Sequence, residues 1–151
     1  MGIKIDELLQ RVHPLVGYAA EAEALVLSSH GRPLTALQLT DARLVGVRDP
    51  DRIRLATSFA FMEADPRFTV FRTFGPVLAG VTVGYAIVLA SDLANKRDVL
   101  LHECAHVAQY ERFGMNGFLQ RYFAEYERYG YEQMPLEQEA IAAVHQVMFS
   151  P

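Results

Sequence analysis

Five consecutive residues constrain this chain more than any others: His102-Glu103-Cys104-Ala105-His106. Histidines four apart come together when the backbone between them is helical. They then project from one face with side-chain origins ~5–6 Å apart, so their ring nitrogens can converge on one ion. The flanking sequence agrees with a helix. Val99, Leu100 and Leu101 give it an apolar stripe to bury, Asn95 or Asp98 can open it, and Gly114 supplies a stop. A catalytic ion needs a third protein ligand, and that ligand has to come from a second element packed on this helix.

The pattern suits zinc. Glu103 follows the first histidine, so it flanks the ion without binding it and can take a proton from a water activated there. His102 and His106 are thus the candidate metal ligands and Glu103 the candidate catalytic base, with one zinc ion as cofactor. Taken alone, either histidine would read as an ordinary core residue; the helix, the β-rich segment before it and the acids after it favour the metal.

Beyond Gly114 the third ligand has six candidates: Glu125, Glu127, Glu132, Glu137, Glu139 and His145. The segment Leu136-Glu137-Gln138-Glu139-Ala140 opens a last helix after Pro135, and its small Ala140 permits close helix packing. Glu137 therefore ranks first, with Glu139 as the alternative ligand or as a residue that orients a ligand. Both also fit the plain role of first-turn acids favoured by the helix dipole. Cys104, two residues from His102, points away from the metal side and reads as a small buried hydrophobe.

The rest of the chain predicts an α+β fold, one small domain over residues 1–151, mostly helical with a small sheet. Helices are expected over 5–12 and from Pro14 to about Ser29. A further helix runs from an N-cap at Thr35 to Gly46. Asp49-Pro50-Asp51 is a turn, and Arg52 to Ala56 alternates as a half-buried strand does. Residues 63–76 read as a loop with a short strand at 68–71. Residues 81–90 read as one strand at the sheet edge, in which Gly84 suggests close backbone approach. An extended substrate could add along this edge, which makes Thr82, Gly84 and Ala86 candidate substrate-binding residues. Helices over 118–129 and from Pro135 to about Phe149 complete the chain.

Composition narrows the function classes. Fourteen Lys and Arg against eighteen Asp and Glu, scattered along the chain, give a net charge of −4 and no basic stripe, so nucleic acid is not an expected partner. The apolar runs at 15–27 and 75–90 are too short or too interrupted to span a bilayer, which takes ~20 residues, so no membrane is expected. One cysteine forms no internal disulfide and the first residues do not resemble a secretory signal, pointing to the cytoplasm.

The stretch from Val99 to Gly114, with its His102-Glu103-Cys104-Ala105-His106-Val107-Ala108-Gln109 core, resembles the short bacterial gluzincin-like (minigluzincin-type) domains, whose active helix reads HELxHVxQ. The likeness extends to the Gly-Val-Thr-Val-Gly segment before it, to Phe118-Leu119-Gln120-Arg121-Tyr122, and to Pro135-Leu136-Glu137-Gln138-Glu139-Ala140. It implies a zincin-like domain with N-terminal helices over 1–30 and a family-like core over about 32–149, and Glu137 as the third ligand in an E-x-x-A arrangement. Ile141 stands where such proteins often carry an acid that steadies the first histidine, so Glu139 or a carbonyl takes that place. The resemblance also implies that a tyrosine or histidine stabilises the oxyanion. Tyr110, Tyr122, Tyr126, Tyr129 and Tyr131 are all open candidates.

The leading expectation is a zinc metallopeptidase acting on a peptide or protein substrate. The competing one is a zinc-stabilised interaction or regulatory module that kept the ligands without the chemistry. A third, a metal-free α+β binding domain, holds only if the motif is accidental.

Overall fold

The computed structural model describes residues 24–57, residue 26 excepted, and residues 80–151. The expected helix over 5–12, most of the one over 14–29, and the loop and short strand within 63–76 lie outside these residues. The described part is α+β, helices around a small sheet. Residues 27–30 are helical. Then come helix α1 (Ala36–Leu44), strands β1 (Arg54–Thr57), β2 (Gly80–Val83) and β3 (Ala86–Leu89), and helices α2 (Arg97–Tyr129) and α3 (Pro135–Phe149).

Local chemistry accounts for most of these boundaries. Thr35 caps α1 with a reciprocal pair: its hydroxyl accepts from the Gln38 amide, and the Gln38 side chain accepts from the Thr35 amide at 3.0 Å. Asp49-Pro50-Asp51 becomes a short 3-10 turn over Pro50–Arg52, which delays β1 to Arg54. Helix α2 opens at Arg97 with no side-chain cap from either expected residue. Pro135 is the first residue of α3, where its missing N–H costs nothing.

The segment 81–90 is a correction. It is a tight hairpin, β2 paired antiparallel with β3 from Gly80↔Leu89 to Val83↔Ala86, with Gly84-Tyr85 as the turn and Gly84 at φ +58. A two-residue hairpin loop calls for a positive φ, and glycine adopts it without strain. Strand β3 also pairs in parallel with β1, so the sheet order is β1-β3-β2 and β3 is central. Its run Ala86-Ile87-Val88-Leu89 is wholly buried because both faces are covered. Ala86 and Val88 join Val81, Val83, Tyr110, Phe118 and Phe123 on one side, while Ile87 and Leu89 join Leu55, Leu100, Cys104 and Val107 on the other.

Helix α2 is two limbs, and the upstream one already reaches both sides, with Tyr110 in one cluster and Leu100, Cys104 and Val107 in the other. Gly114 has φ 73 and ψ 169, a conformation that breaks the helical path. A straight helix would carry residue 122 ~24 Å beyond residue 106. The His106 and Tyr122 ring centroids are instead 6.4 Å apart, so the break folds the downstream limb back over the motif. Helix α3 packs antiparallel to the upstream limb, with Arg97 against Met148 at one end and Arg112 against Glu139 at the other. Among the described residues no helix is long and apolar enough to cross a membrane.

Candidate metal centre

The upstream limb of α2 presents His102 and His106 one turn apart, and the first turn of α3 brings Glu137 against them. The three edges of this cluster are short: His102 Nε2 to His106 Nε2 is 3.1 Å, His102 Nε2 to Glu137 Oε2 is 3.0 Å, and His106 Nε2 to Glu137 Oε1 is 3.2 Å. The two Glu137 contacts end on different carboxylate oxygens; with one ligand atom taken from each residue the three atoms lie within 4.8 Å of one another, against ~3.3 Å between ligands held tetrahedrally at ~2.0–2.1 Å from zinc. Two imidazoles with one carboxylate suit a transition metal better than calcium or magnesium, which take oxygen ligands. The cluster can hold a metal ion.

Burial matters here. Glu137 is 3 % exposed and His106 5 %, while the His102 side chain keeps 22 %. Burial opposes ionisation of Glu137, but the hydrogen bonds and charge of His102 and His106 prevail and hold its carboxyl well below the usual range. Burial likewise opposes protonation of His106, and the Glu137 carboxylate overrides it, pushing the imidazole up to about 9. A metal ion held by the cluster would compete with protons for the same side-chain atoms.

Gln109, to which the sequence reading gave no role, determines which nitrogen of His106 faces the cluster. Its amide group donates to the Leu136 carbonyl at 2.9 Å and to Glu139 Oε2 at 2.8 Å. Both partners are pure acceptors, so this end must be the NH2 and the other end the oxygen. That oxygen lies 2.8 Å from His106 Nδ1, which therefore donates to it and leaves Nε2 as the ligand atom. Arg112 grips Glu139 with two bonds of 2.8 and 2.7 Å. Glu139 is thus an orienting residue acting through Gln109, and not a ligand. In the sequence this relay shows as the spacing of Gln109, three residues after His106 and on the same helix face.

The remaining downstream candidates lie outside the cluster. Glu125 accepts the Leu136 amide at 2.8 Å and so caps α3, the Glu132 carbonyl accepts from Gln138, and Glu127 is exposed. His145 lies outside the cluster on the rim of a neighbouring cavity.

Glu103 is 6 % exposed and points to β2. The Thr82 hydroxyl donates to its Oε2 at 2.5 Å, and Gly80 makes room for the carboxylate: a Cβ there would stand 2.8 Å from Glu103 Oε1. Of the three residues expected to line a substrate edge, Thr82 holds Glu103, Gly84 forms the hairpin turn, and Ala86 is fully buried in the central strand. They form no common edge, because the one expected strand is two. Glu103 and His102 instead open on a cavity of about 440 Å³ between α2 and α3.

Two tyrosines approach Glu137. Tyr122 donates to its Oε1 at 2.9 Å, and Tyr131 feels its charge; burial, with that charge, raises both phenols. Tyr110 donates to the Thr82 carbonyl, while Tyr126 and Tyr129 are exposed. Cys104 is 1 % exposed in the opposite core, and burial pushes its thiol up to about 12, as befits a packing residue. No protein-family model matches this chain, and no curated protein and no solved structure matches it, so a function has to be argued from the chemistry of this cluster.

Proposed function

We propose that the protein is a zinc-dependent hydrolase of peptide bonds, of the gluzincin type that its motif resembles, holding one zinc ion through His102, His106 and Glu137. The observation that carries this reading is the cluster of His102, His106 and Glu137, whose side chains meet at contacts of 3.0–3.2 Å, beside a second, separately held carboxylate. A purely structural metal site has no use for Glu103, whereas a hydrolytic one does.

Zinc, when bound, supplies a Lewis acid that makes water a nucleophile near neutral pH and polarises a carbonyl. The protein supplies the rest. Glu103 accepts a proton from the attacking water at its carboxylate and hands it to the amine nitrogen as the C–N bond breaks, so the proton balance closes within one residue. Thr82 fixes the orientation of that carboxylate. Gln109 keeps Nε2 of His106 directed at the cluster. Tyr122 and Tyr131 both reach Glu137, and Tyr131, which also lines the cavity, is the tyrosine placed to meet a developing oxyanion.

The test separates metal from base. Purified protein should contain about one zinc per chain. Glu103→Gln should retain that zinc and the melting temperature while peptide cleavage falls ~10²–10⁴-fold, the usual worth of general acid–base catalysis. Zinc-loaded wild-type protein that cuts nothing in a diverse peptide library would overturn the hydrolase and favour a zinc-stabilised interaction module.

A further inference from the structure

On an adjoining face of α2, Ala105, Ala108 and Arg112 recur at steps of three and four and line a second cavity, of about 520 Å³, enclosed by α2, α3 and the loop after α1. Its floor consists of residues with no side chain beyond Cβ: Gly46, Ala105, Ala108 and Ala143. Arg48, Glu111, Arg112 and Glu139 surround that floor. The cavity at His102 and Glu103 is different in kind, since no Lys or Arg lines it.

The four charged groups are unequally committed. A carboxylate offers about four lone-pair sites, and both acids have filled three. Glu111, its side chain 3 % exposed, accepts from two backbone amides and the Tyr85 hydroxyl, and Glu139 accepts twice from Arg112 and once from Gln109. A guanidinium offers five N–H donors; Arg48 gives one, to the Glu111 carbonyl at 3.0 Å, and Arg112 gives two. The spare capacity therefore belongs to the cations, whose side chains are 73 % and 51 % exposed. The Arg48 bond sets its guanidinium against the backbone just before Arg112, so two planar forks stand at one mouth. Carbonyls in the last turn of α1 accept from the amides of residues 45 to 47, so that helix end presents no row of bare acceptors to the cavity.

We propose that this cavity is a second binding site, for a small organic anion whose carboxylate or phosphate group is held between Arg48 and Arg112 and whose body lies on the alanine floor. A guanidinium fork matches either oxyanion with paired hydrogen bonds. The volume falls in the ~300–1,000 Å³ range of small-molecule sites and exceeds what an inorganic ion fills. A cationic ligand would meet two guanidinia and two acids already engaged. The site stands apart from the hydrolase reading, because none of its charged residues belongs to the metal cluster.

The experiment titrates the full zinc-loaded chain with benzoate, phenyl phosphate, inorganic phosphate and the neutral isostere benzamide at constant ionic strength, following backbone amide shifts. Benzoate or phenyl phosphate should shift Gly46, Ala108 and Ala143 and bind at least ~10-fold more tightly than benzamide, since charge-assisted hydrogen bonds are roughly twice as strong as neutral ones. The tighter of the two identifies the preferred head group, and inorganic phosphate should bind more weakly than phenyl phosphate because it leaves the floor bare. Arg48→Gln alters an exposed side chain, keeps the backbone amide that Glu111 accepts from, and should weaken the anion at least ~10-fold. Ala143→Leu leaves every charge in place and fills the floor, so it should weaken phenyl phosphate and spare inorganic phosphate. Zinc content should stay at the wild-type value in both variants. Equal affinity for benzoate, phenyl phosphate and benzamide, or affinities unchanged in both variants, would overturn the site. Shifts confined to the surroundings of His102 would put the anion on the metal and overturn it as well, leaving the metal centre standing.

Discussion

Glu137 and Glu111 are two glutamates with buried side chains, both held below the ordinary carboxyl range, and only one of them looks like part of a site. The Glu111 side chain is 3 % exposed and accepts from the amides of Arg48 at 2.8 Å and Asp49 at 2.9 Å and from the Tyr85 hydroxyl at 2.9 Å. Burial opposes its ionisation, and the two backbone donors outweigh that. It pins the loop after α1 and the hairpin turn to α2. Nothing can be exchanged there, because backbone amides and a phenol keep their protons near neutral pH. The partners of Glu137 are two imidazoles whose nitrogens lie 3.1 Å from each other and can give up protons for a metal. Depth and a lowered pKa are common to both; the chemistry of the partners separates a structural pin from a candidate metal centre.

The strongest way to break the comparison is to remove each carboxylate in turn. Glu137→Ala should abolish stoichiometric zinc, and with it any difference in melting temperature between chelated and zinc-loaded protein, because a ligand that binds only the folded state stabilises it. Glu111→Ala should leave zinc at one per chain. Full zinc retention in Glu137→Ala, read by metal analysis, would show the three residues to be a hydrogen-bonded core cluster like that of Glu111.

A smaller effect is expected at the relay. Gln109→Ala frees His106 to turn or change tautomer, and zinc affinity should fall ~10–100-fold, as is usual when a partner that orients a ligand is lost. Competition with a chromophoric chelator measures this, and the cobalt-substituted spectrum should change as well. A merely structural role would lower the melting temperature and leave both untouched.

The smallest effect belongs to the pin. Glu111→Gln should cost about 1.5–3 kcal/mol at pH 7, the range for hydrogen bonds to a charged group, equally with and without zinc. The folded pKa of Glu111 is depressed, so its contribution is complete above the unfolded value near ~4.3 and is lost as pH falls through the folded one. The stability gap between wild type and variant, followed by denaturant melts, should therefore be flat from pH 6 to 8 and close below about pH 4. A gap that widens in acid would assign the stabilisation to some other group.

Sequence alone determined what depends on neighbours within a turn or two. The spacing of His102, Glu103 and His106, the capping pair at Thr35 and Gln38, the break at Gly114 and the start at Pro135 are all local, because helix geometry, caps, glycine and proline act through a few adjacent dihedrals. Glu137 ranked first among several acids from its helix and from the motif's resemblance, and packing gave the others different places: Glu125 caps α3, and Glu139 holds Gln109. Tertiary structure decided the rest. A single apolar run became a hairpin because β3 pairs on both edges and is covered on both faces, a burial that erases the alternation marking a strand's limits. Tyr122 reaches Glu137 only because the chain doubles back at Gly114, and Gly80 matters only because the Glu103 carboxylate comes to rest against it. Such contacts join residues far apart along the chain, and no local pattern records which distant side chain will arrive.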